Sequence, residues 1–390
     1  MNYILFDGPN RNKLLPLSFT RPVADIRTGI LTIREKWENI LQSSISFSTQ
    51  DYLSKKFPKV VTNDNIFIDG SIIPNKELVS QIKELKPNQL LKKDDLEIAI
   101  RTYNADFSDL NPDEFHIVES NVDFLRIENT WDIFRINPQA IVDDFELLTK
   151  NRNTETISST NSIIGNPNSI FIEKGAVVEY AYLNTNDGPI YIGKDAEIME
   201  GSKIRGPFAL CEHATIKMDA KIYSGTTIGP HSKVGGEVSN SVILGYSNKG
   251  HDGFLGNSVI GEWCNLGADT NTSNLKNTYD FVRLWSYDAD TFVSTGLQFC
   301  GLIMGDHSKS GINTMFNTGT VVGVSSNIYG SGFQRNFIPS FMWGGASGLK
   351  QYNFKKSVEV ATAVYKRRSL DFDEVEIDIF TEIFNLSHSK

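Results

Sequence analysis

The sequence predicts two fold classes in one chain, an α/β domain followed by a parallel β-helix. Apolar runs of strand length alternate with helical patterns over the first 150 residues, and later an aliphatic residue returns at every sixth position. A chain of 390 residues is also too long for one ordinary hydrophobic core. We therefore expect an α/β domain at 1–150, a linker at 151–161, a β-helix at 162–345 and a helical tail at 346–390.

The α/β domain is predicted from the spacing of its apolar residues. NYILFD (2–7) and NIFIDGSIIP (65–74) have the pattern of buried strands that end at turns. ADIRTGILTIREKWENIL (24–41) and KELVSQIKEL (76–85) have the spacing of amphipathic helices. Strands that alternate with helices favour a parallel sheet.

A third helical pattern precedes the linker. TWDIFRINPQAIVDDFELLTK (130–150) is helical in pattern at both ends, with Thr130 as the expected N-cap and a break near Pro138. KNRNTETISSTN (150–161) is polar, and Ile157 is its only large apolar residue. That composition is typical of a linker.

The β-helix is predicted from a six-residue aliphatic repeat. Its uninterrupted part comprises Ile192, Ile198, Ile204, Leu210, Ile216, Ile222, Ile228 and Val234. An amphipathic helix would need a period of 3.6, so these side chains are expected to point inward from the flat faces of triangular coils. The same step is expected at Ile172, Val178, Phe254, Ile260, Leu266, Met304, Phe316, Val322 and Ile328.

Two segments interrupt the repeat, at 236–253 and 271–300. Regular coils offer only flat walls, so we expect function where the chain leaves the coil. The repeat stops after Gly345, and 358–367 and 372–384 predict one or two C-terminal helices.

Composition narrows the classes of partner. The formal net charge of −9 argues against nucleic acid or an anionic membrane surface as the main partner. The first residues lack the charge and apolar pattern of a signal peptide, and no apolar run is long enough to span a bilayer. Three cysteines without paired spacing, Cys211, Cys264 and Cys300, favour buried thiols in a reducing cytoplasm.

Three motifs in the β-helix carry a family resemblance. The stretch KGHDGFLGNSVIGEWCNLGADTNTSNLK (249–276), GPFA (206–209) and MGDHSKSGINTMFNTGTVVG (304–323) are similar to segments of an acetyltransferase domain. Together with the order α/β domain, linker and hexapeptide repeat, they resemble the bifunctional N-acetylglucosamine-1-phosphate uridylyltransferase/glucosamine-1-phosphate acetyltransferase family and its archaeal relatives. The resemblance covers roughly 160–345 and implies a left-handed β-helix that binds acetyl-CoA and a sugar phosphate.

The resemblance assigns His251 as the general base of acyl transfer. An imidazole suits that task because it titrates near neutral pH. The alternative is an exposed loop histidine, and His307 is the next candidate. By the same resemblance Asn265 contacts substrate or supports the base, and Asn274 positions the donor or the sugar, whereas both are otherwise turn residues of a β-helix.

Three further side chains near His251 are candidates for substrate binding. Glu237 and Lys249 could hold an amine and a phosphate, and the alternative is that both are solvated charges. Phe254 stands where the family has a tyrosine, and its missing hydroxyl favours an acceptor other than glucosamine 1-phosphate.

The N-terminal half resembles the family less closely. The family's loop L-A-A-G-x-G-T-R-M approaches a nucleotide triphosphate with its backbone amides, and here the equivalent place reads LFDGPNRNKLLPLSFTRPVADIR (5–27). Gly8 remains, with Arg11 or Lys13 as the basic residue. The charges of Arg21 and Arg27 precede a predicted helix, where they indicate either a phosphate site or a salt-bridge cluster.

Asp7 and Asp69 each end a predicted strand of this domain. Ligands of α/β sheets bind at that edge, so the two carboxylates are candidates for a Mg²⁺ pair. The domain is then a Rossmann-like, nucleotidyltransferase-like fold that takes UTP or another nucleoside triphosphate, or one that binds a sugar nucleotide without catalysis.

Three functions remain open at this point. The first is a sugar-phosphate-modifying enzyme of UDP-N-acetylglucosamine biosynthesis for the cell envelope, with acyl transfer in the β-helix and a divergent nucleotidylyltransferase domain. The second is an acyltransferase whose N-terminal domain only binds a sugar nucleotide. The third is a non-catalytic trimeric scaffold. The resemblance implies a homotrimer, and the acceptor can be an amine or a hydroxyl.

Overall fold

The computed structural model describes residues 1–103 and 114–388, and its contacts divide the chain into two compact units. The first unit comprises Met1–Leu14, Thr20–Ile26 and Leu31–Asn129. The second comprises Leu15–Phe19, Arg27–Ile30 and Thr130–Lys390. The contact boundary thus falls at Asn129, earlier in the chain than residue 150.

The first unit is built on a six-stranded sheet within the described residues. Its strands are β1 (Asn2–Phe6), β2 (Ile45–Ser48), β3 (Asn65–Asp69), β4 (Gln89–Lys93), β5 (Leu96–Thr102) and β6 (His116–Glu119). The order is β2-β1-β3-β5-β4-β6, and β5 runs antiparallel to both of its neighbours. The predicted α/β class is confirmed, but the sheet is mixed, because β4 and β5 form a hairpin that alternation of strands and helices does not reveal.

Two helices of this unit begin at residues with capping side chains. In α1 (Ile33–Leu41) the Thr32 hydroxyl accepts the Glu35 N–H at 3.2 Å, and the Glu35 carboxylate accepts the Thr32 N–H at 2.7 Å. The helix predicted from residue 24 therefore begins only at Ile33. In α2 (Lys76–Glu84) the Asn75 side chain accepts the Leu78 N–H at 2.9 Å.

The second unit contains the predicted left-handed parallel β-helix. Within residues 114–388 its coils form three faces that we call faces 1, 2 and 3. Face 1 comprises Ser162–Ile164, Tyr182–Asn184, Lys203–Arg205, Lys221–Ile222, Glu237–Ser239 and Phe254–Gly256. Face 2 comprises Ile170–Ile172, Ile190–Ile192, Phe208–Leu210, Thr226–Ile228, Val242–Gly245, Val259–Glu262, Leu302–Met304, Thr320–Val322 and Phe337–Ile338.

Face 3 is the longest of the three. It comprises Val177–Val178, Glu197–Ile198, Thr215–Ile216, Lys233–Val234, Asn248–Lys249, Asn265–Leu266, Lys309–Ser310, Asn327–Ile328, Met342–Gly345 and Gly348–Gln351. The last two pair antiparallel and end the repeat where the sequence predicts it. Asn271–Thr272 pairs with Met315–Phe316. Residues 273–300, which we call the excursion, contain the hairpin of Arg283–Ser286 and Thr291–Ser294.

The predicted inward residues form one continuous buried core, with a single exception. Phe254 is half-buried, and Leu255 is the inward residue in its place. The reason is that Leu255 and Ile260 are only five residues apart, so a count of six back from Ile260 selects Phe254. The preceding coil is also short, because Val238 and Ile243 follow Val234 at steps of four and five residues. Segment 236–253, predicted as an interruption, is therefore a shortened coil that stays in the ladder.

Helix α3 (Asp132–Thr149) packs on face 2. Its Ile141 lies in an apolar cluster with Phe171, Tyr191 and Ala209 from the outer side of that face. The helix is continuous through Pro138, so the predicted break there is wrong. The expected N-cap is also wrong, because Trp131 occupies the N-cap position and Thr130 precedes it.

The C-terminal tail forms α4 (Phe354–Lys366) and α5 (Glu374–His388), as expected from the end of the repeat. Its Tyr365 ring stacks on Trp263, with the ring centroids 4.1 Å apart. Trp263 belongs to a column of stacked rings along one corner of the coils. The column continues through Tyr246, His231 and His213.

All three cysteines are buried thiols, as predicted. Among the described residues, no helix combines the length and apolar character that crossing a bilayer requires.

Candidate functional site

His251 lies at the corner between faces 3 and 1. The strand Asn248–Lys249 precedes it on face 3, and Phe254–Gly256 follows it on face 1. The side chain is exposed. The backbone turns sharply here, since Gly253 has a φ of +115° and a β-carbon at that position would lie 2.3 Å from the Thr270 carbonyl oxygen. The corner thus presents an accessible imidazole on a tightly packed turn.

Lys249 lies beneath this corner and not on the surface. It pairs with Val234 in the register of face 3, so its side chain takes an inward position and is 2% exposed. Its Nζ donates to the carbonyl oxygens of Gly235 and His251, both at 2.9 Å. Burial lowers the pKa of this amine to about 8, against the attraction of Asp252 and Asp269.

Three predicted substrate-binding residues meet on face 1 beside the corner. Glu237 pairs with Phe254 in the register of that face, and both are half-buried. A β-carbon at Gly256 would lie 2.6 Å from both the Phe254 Cζ atom and the Asn274 Nδ2 atom, so the ring and the amide converge over this glycine. Asn274 Nδ2 donates to Asn257 Oδ1 at 2.8 Å, which fixes its orientation.

Asn265 lies on the other side of the corner, on the outer surface of face 3. It pairs with Asn248 in one direction and with Lys309 in the other, and its side chain is exposed. Lys309 Nζ donates to the His307 carbonyl oxygen at 2.8 Å, and burial lowers its pKa to about 8. No hydrogen bond joins Asn265 to His251 among the residues described, so the structure does not bring these two side chains into direct contact.

A cleft of about 630 Å³ opens along the same corner in the following coils. Its lining residues are Asp269, Asn271, Gly311, Ile312, Asn313, Met315, Tyr329, Gly330, Ser331 and Gly332. The Asp269 N–H donates to the Asp252 carbonyl oxygen at 3.1 Å, so the cleft begins one coil from His251. Its wall combines apolar side chains with amide groups, which suits an extended ligand that carries both apolar and polar groups.

In the first unit, Asp7 and Asp69 lie at the ends of two paired strands, β1 and β3, as predicted. Asp7 accepts hydrogen bonds from the Val23 N–H at 2.7 Å and the Thr49 hydroxyl at 2.6 Å. Asp69 accepts the Ser71 N–H at 2.8 Å. Burial raises the pKa of both carboxyls.

These contacts decide whether the pair fits a metal ion. Mg²⁺ requires open carboxylate oxygens and usually retains several waters. Here the side chains are buried and already accept hydrogen bonds from the protein, and a β-carbon at Gly8 would lie 2.8 Å from Asp69 Oδ2. The donor set does not fit Mg²⁺, and we assign no step to a metal.

The predicted phosphate-binding residues differ in their exposure and in their contacts. Arg11 Nε lies 3.4 Å from Asp7 Oδ2, and its Nη2 donates to the Tyr52 hydroxyl at 2.8 Å. Lys13 is exposed, whereas Arg21 is buried in the first unit. Arg27 belongs to the second unit, where its guanidinium donates to the carbonyl oxygens of Ile30 and Leu244.

Sequence reasoning missed the polar residues of the cleft, although a signal was present. The corners GHDG (250–253), GADT (267–270) and GINT (311–314) are equivalent in successive coils. Alignment of these corners would have placed Asp269 and Asn313 in line with Asp252. The ring column was missed because its members lie at irregular spacings in the sequence.

Comparison with known proteins finds one matching family and several partial relatives. Residues 3–153 match the family described as sugar nucleotidyl transferase. The chain is 30% identical over 171 residues to the bifunctional protein GlmU of Methanocaldococcus jannaschii, covering 44% of this chain and 34% of that protein. It is 29% identical over 144 residues to a bifunctional sugar-1-phosphate nucleotidylyltransferase/acetyltransferase of Sulfurisphaera tokodaii, covering 36% and 35%. The match thus spans about a third of the length of these relatives.

Solved structures with likeness to this chain include acyltransferases. The N-acyltransferase AntD of Bacillus cereus, in complex with dTDP and coenzyme A, aligns with a TM-score of 0.23 at 12% identity, over 53% of this chain and 91% of that one. The UDP-N-acetylglucosamine acyltransferase of Campylobacter jejuni aligns with a TM-score of 0.25 at 17% identity, over 60% and 85%. The predicted resemblance is confirmed as a similarity: residues 3–153 match the sugar nucleotidyl transferase family, and parts of the chain are similar to bifunctional transferases of the GlmU type.

Proposed function

We propose that the β-helix transfers an acyl group from an acyl-CoA, with acetyl-CoA as the expected donor, to an amino group of a sugar phosphate. The observation that carries this proposal is the exposed imidazole of His251, which lies at a coil corner one coil from the cleft of about 630 Å³. The relative named as a bifunctional sugar-1-phosphate nucleotidylyltransferase/acetyltransferase supports it. A hydroxyl is the alternative acceptor, because the same base could remove its proton.

The chemistry requires one proton acceptor at the attacking nitrogen. The nitrogen lone pair forms the new C–N bond at the thioester carbonyl while the His251 imidazole takes the amine proton. The C–S bond then breaks, and the imidazolium returns the proton to the departing thiolate. General-base assistance of this kind contributes about 10²–10⁴-fold to a rate.

The remaining candidates have places in this scheme. Asn274 and Phe254 converge over Gly256 on one side of the imidazole, where they would contact the acceptor. Asn265 lies on the other side, on face 3, and Glu237 would accept a hydrogen bond from the amino sugar. The cleft along the later coils would hold the extended arm of the acyl-CoA.

For the N-terminal unit, we propose binding of a sugar nucleotide or nucleoside triphosphate without efficient turnover. The buried carboxylates Asp7 and Asp69 accept hydrogen bonds from protein groups, and Arg11 lies beside Asp7. Lys13 is exposed and is the predicted basic residue that we expect to contact a phosphate.

The decisive test of the acyltransferase is His251→Ala. Turnover of acetyl-CoA with a panel of amino-sugar phosphates should fall by about 10²–10⁴-fold, because the general base is lost. Affinity for acetyl-CoA should remain, since the cleft lies in other coils. His213→Asn is the matched control, because it alters another exposed corner histidine of the β-helix. Equal rates of thioester cleavage in wild type and His251→Ala would make the histidine an ordinary loop residue.

Titration calorimetry separates the three functions that the sequence leaves open. Binding of both acetyl-CoA and UTP supports two ligand-binding domains. Binding of acetyl-CoA alone restricts the activity to the β-helix. Binding of neither supports a scaffold. Pyrophosphate release from UTP at roughly 1–10³ s⁻¹ would contradict an N-terminal unit without efficient turnover.

A further inference from the structure

Lys249 occupies a position whose two neighbours in the same column are apolar residues. Its register partner on the preceding strand is Val234, and the strand after it places Leu266 in the equivalent position. Both neighbours are buried members of the apolar core. An aliphatic side chain would fill this position without the cost of removing a cation from water.

The lysine amine donates hydrogen bonds to two backbone carbonyls. Nζ reaches the Gly235 carbonyl oxygen on the preceding coil and the His251 carbonyl oxygen on its own coil, both at 2.9 Å. A β-carbon at Gly236 would lie 2.9 Å from Nζ, so this glycine leaves room for the ammonium group. The cation therefore joins the backbone of the His251 corner to the coil before it.

We propose that Lys249 is a positioning residue for acyl transfer, whose buried ammonium group anchors the His251 backbone and thereby orients the imidazole. This inference rests on the proposed function, and it replaces the expectation that Lys249 binds substrate. A charge-assisted hydrogen bond is roughly twice as strong as a neutral one, which suits an exposed glycine-rich corner. A displacement of about 1 Å in a catalytic group can reduce a rate by about 10²-fold.

The corner also makes two hydrogen bonds that report on its position without any assay of activity. The Glu237 N–H donates to the Gly253 carbonyl oxygen at 3.2 Å, and the Asp269 N–H donates to the Asp252 carbonyl oxygen at 3.1 Å. If the corner loosens, both amides lose their acceptors. The Lys233 N–H donates to the Ser247 carbonyl oxygen at 2.9 Å on face 3, the face that also carries Lys249. This amide should be unaffected.

The test compares Lys249→Met with wild type, and with Lys203→Met as an exposed lysine control. Methionine matches the length of the lysine and suits an apolar core, so the fold should be retained. We expect hydrogen exchange of the Glu237 and Asp269 amides to accelerate at least about tenfold, with Lys233 unchanged. We expect kcat to fall by about 10²-fold while KM for acetyl-CoA stays constant.

Three outcomes would overturn the proposal. The first is exchange at Glu237 and Asp269 equal to that of wild type. The second is loosened exchange with an unchanged kcat, which would make the tether irrelevant to catalysis. The third is unfolding of both Lys249→Met and Lys249→Leu, which would make the lysine a requirement of the fold. If wild type transfers no acyl group to any acceptor, the proposed function fails, and the exchange data still decide whether the tether exists.

Discussion

At the scale of single residues, the burial of Lys249 lowers the free energy of unfolding by an amount that depends on pH. Burial lowers the pKa of its amine from an ordinary 10.5 to about 8. At about 1.36 kcal/mol per pKa unit, that difference corresponds to about 3 kcal/mol of reduced stability at neutral pH. Between pH 8 and 10.5 the unfolded chain binds a proton that the native chain does not, so stability rises with pH in this window.

Replacement of Lys249 by methionine should remove this dependence. The free energy of unfolding of the variant relative to that of wild type should fall by about 2–3 kcal/mol as the pH is raised from 7 to 10. Urea denaturation of both proteins at a series of pH values measures it. Lys309, whose pKa is also about 8, is present in both proteins and cancels in the difference. A difference that stays constant from pH 7 to 10 would show that the amine titrates as an exposed lysine.

Single residues also mark where the sequence ceases to predict the site. The count of six holds to Val234, but Leu255 and Ile260 are five residues apart, so a count of six back from Ile260 selects Phe254 instead of the inward Leu255. Corner lengths depend on backbone turns that a fixed period does not encode. The positions of Asp7 and Asp69 at strand ends were predictable, whereas their hydrogen-bond donors come from other segments, and only the fold brings those donors close.

At the scale of elements, helix α3 is attached to the β-helix through one buried amide. Asn137 is fully buried, and its Nδ2 donates to the Gly225 carbonyl oxygen at 2.8 Å and to the Thr227 hydroxyl at 3.0 Å. Its Oδ1 accepts the Gly29 N–H at 2.6 Å. Gly29 has a φ of +81°, and a β-carbon there would lie 2.7 Å from the Ala140 carbonyl oxygen, so the segment passes directly over the helix.

Asn137→Leu should therefore destabilise this unit strongly. The substitution leaves the Gly29 N–H and the Gly225 carbonyl without their partner, and each unsatisfied buried group costs about 1–3 kcal/mol. We expect a loss of about 2–5 kcal/mol in the free energy of unfolding, measured by urea denaturation. Gln139→Leu is the matched control, because it makes the same change at an exposed position of the same helix. Similar stability of the two variants would mean that apolar packing alone holds the helix.

The packing of α3 also explains why the break that the sequence predicts near Pro138 is absent. Pro138 lacks an N–H and normally interrupts a helix at a cost of about 3 kcal/mol. Here Asn137, Ala140 and Ile141 are buried on the side of the helix that packs on face 2, and tertiary packing overrides the local preference. The helices α4 and α5, by contrast, were predictable, because their apolar spacing has no conflicting signal and the repeat ends before them.

At the scale of the whole molecule, the exposed apolar surface around the cleft indicates association. Ile312 is 71% exposed and Phe333 is 61% exposed on the corner that carries the cleft. The excursion adds Phe281 at 59% exposed and Tyr279 at 65%. Where exposed apolar side chains form a patch, they are typical of an interface.

We expect the protein to assemble as a homotrimer in solution, with the cleft and the excursion of neighbouring copies in contact. Sedimentation equilibrium should then give about three times the chain mass of 43.6 kDa at micromolar concentration. The double variant Phe281→Asp/Phe333→Asp should dissociate, because desolvating two unpaired carboxylates in an apolar interface is costly. Tyr180→Asp, an exposed aromatic in an early coil of the β-helix, should leave the mass unchanged. A stable wild-type monomer would contradict both the assembly and a site completed by a neighbouring copy.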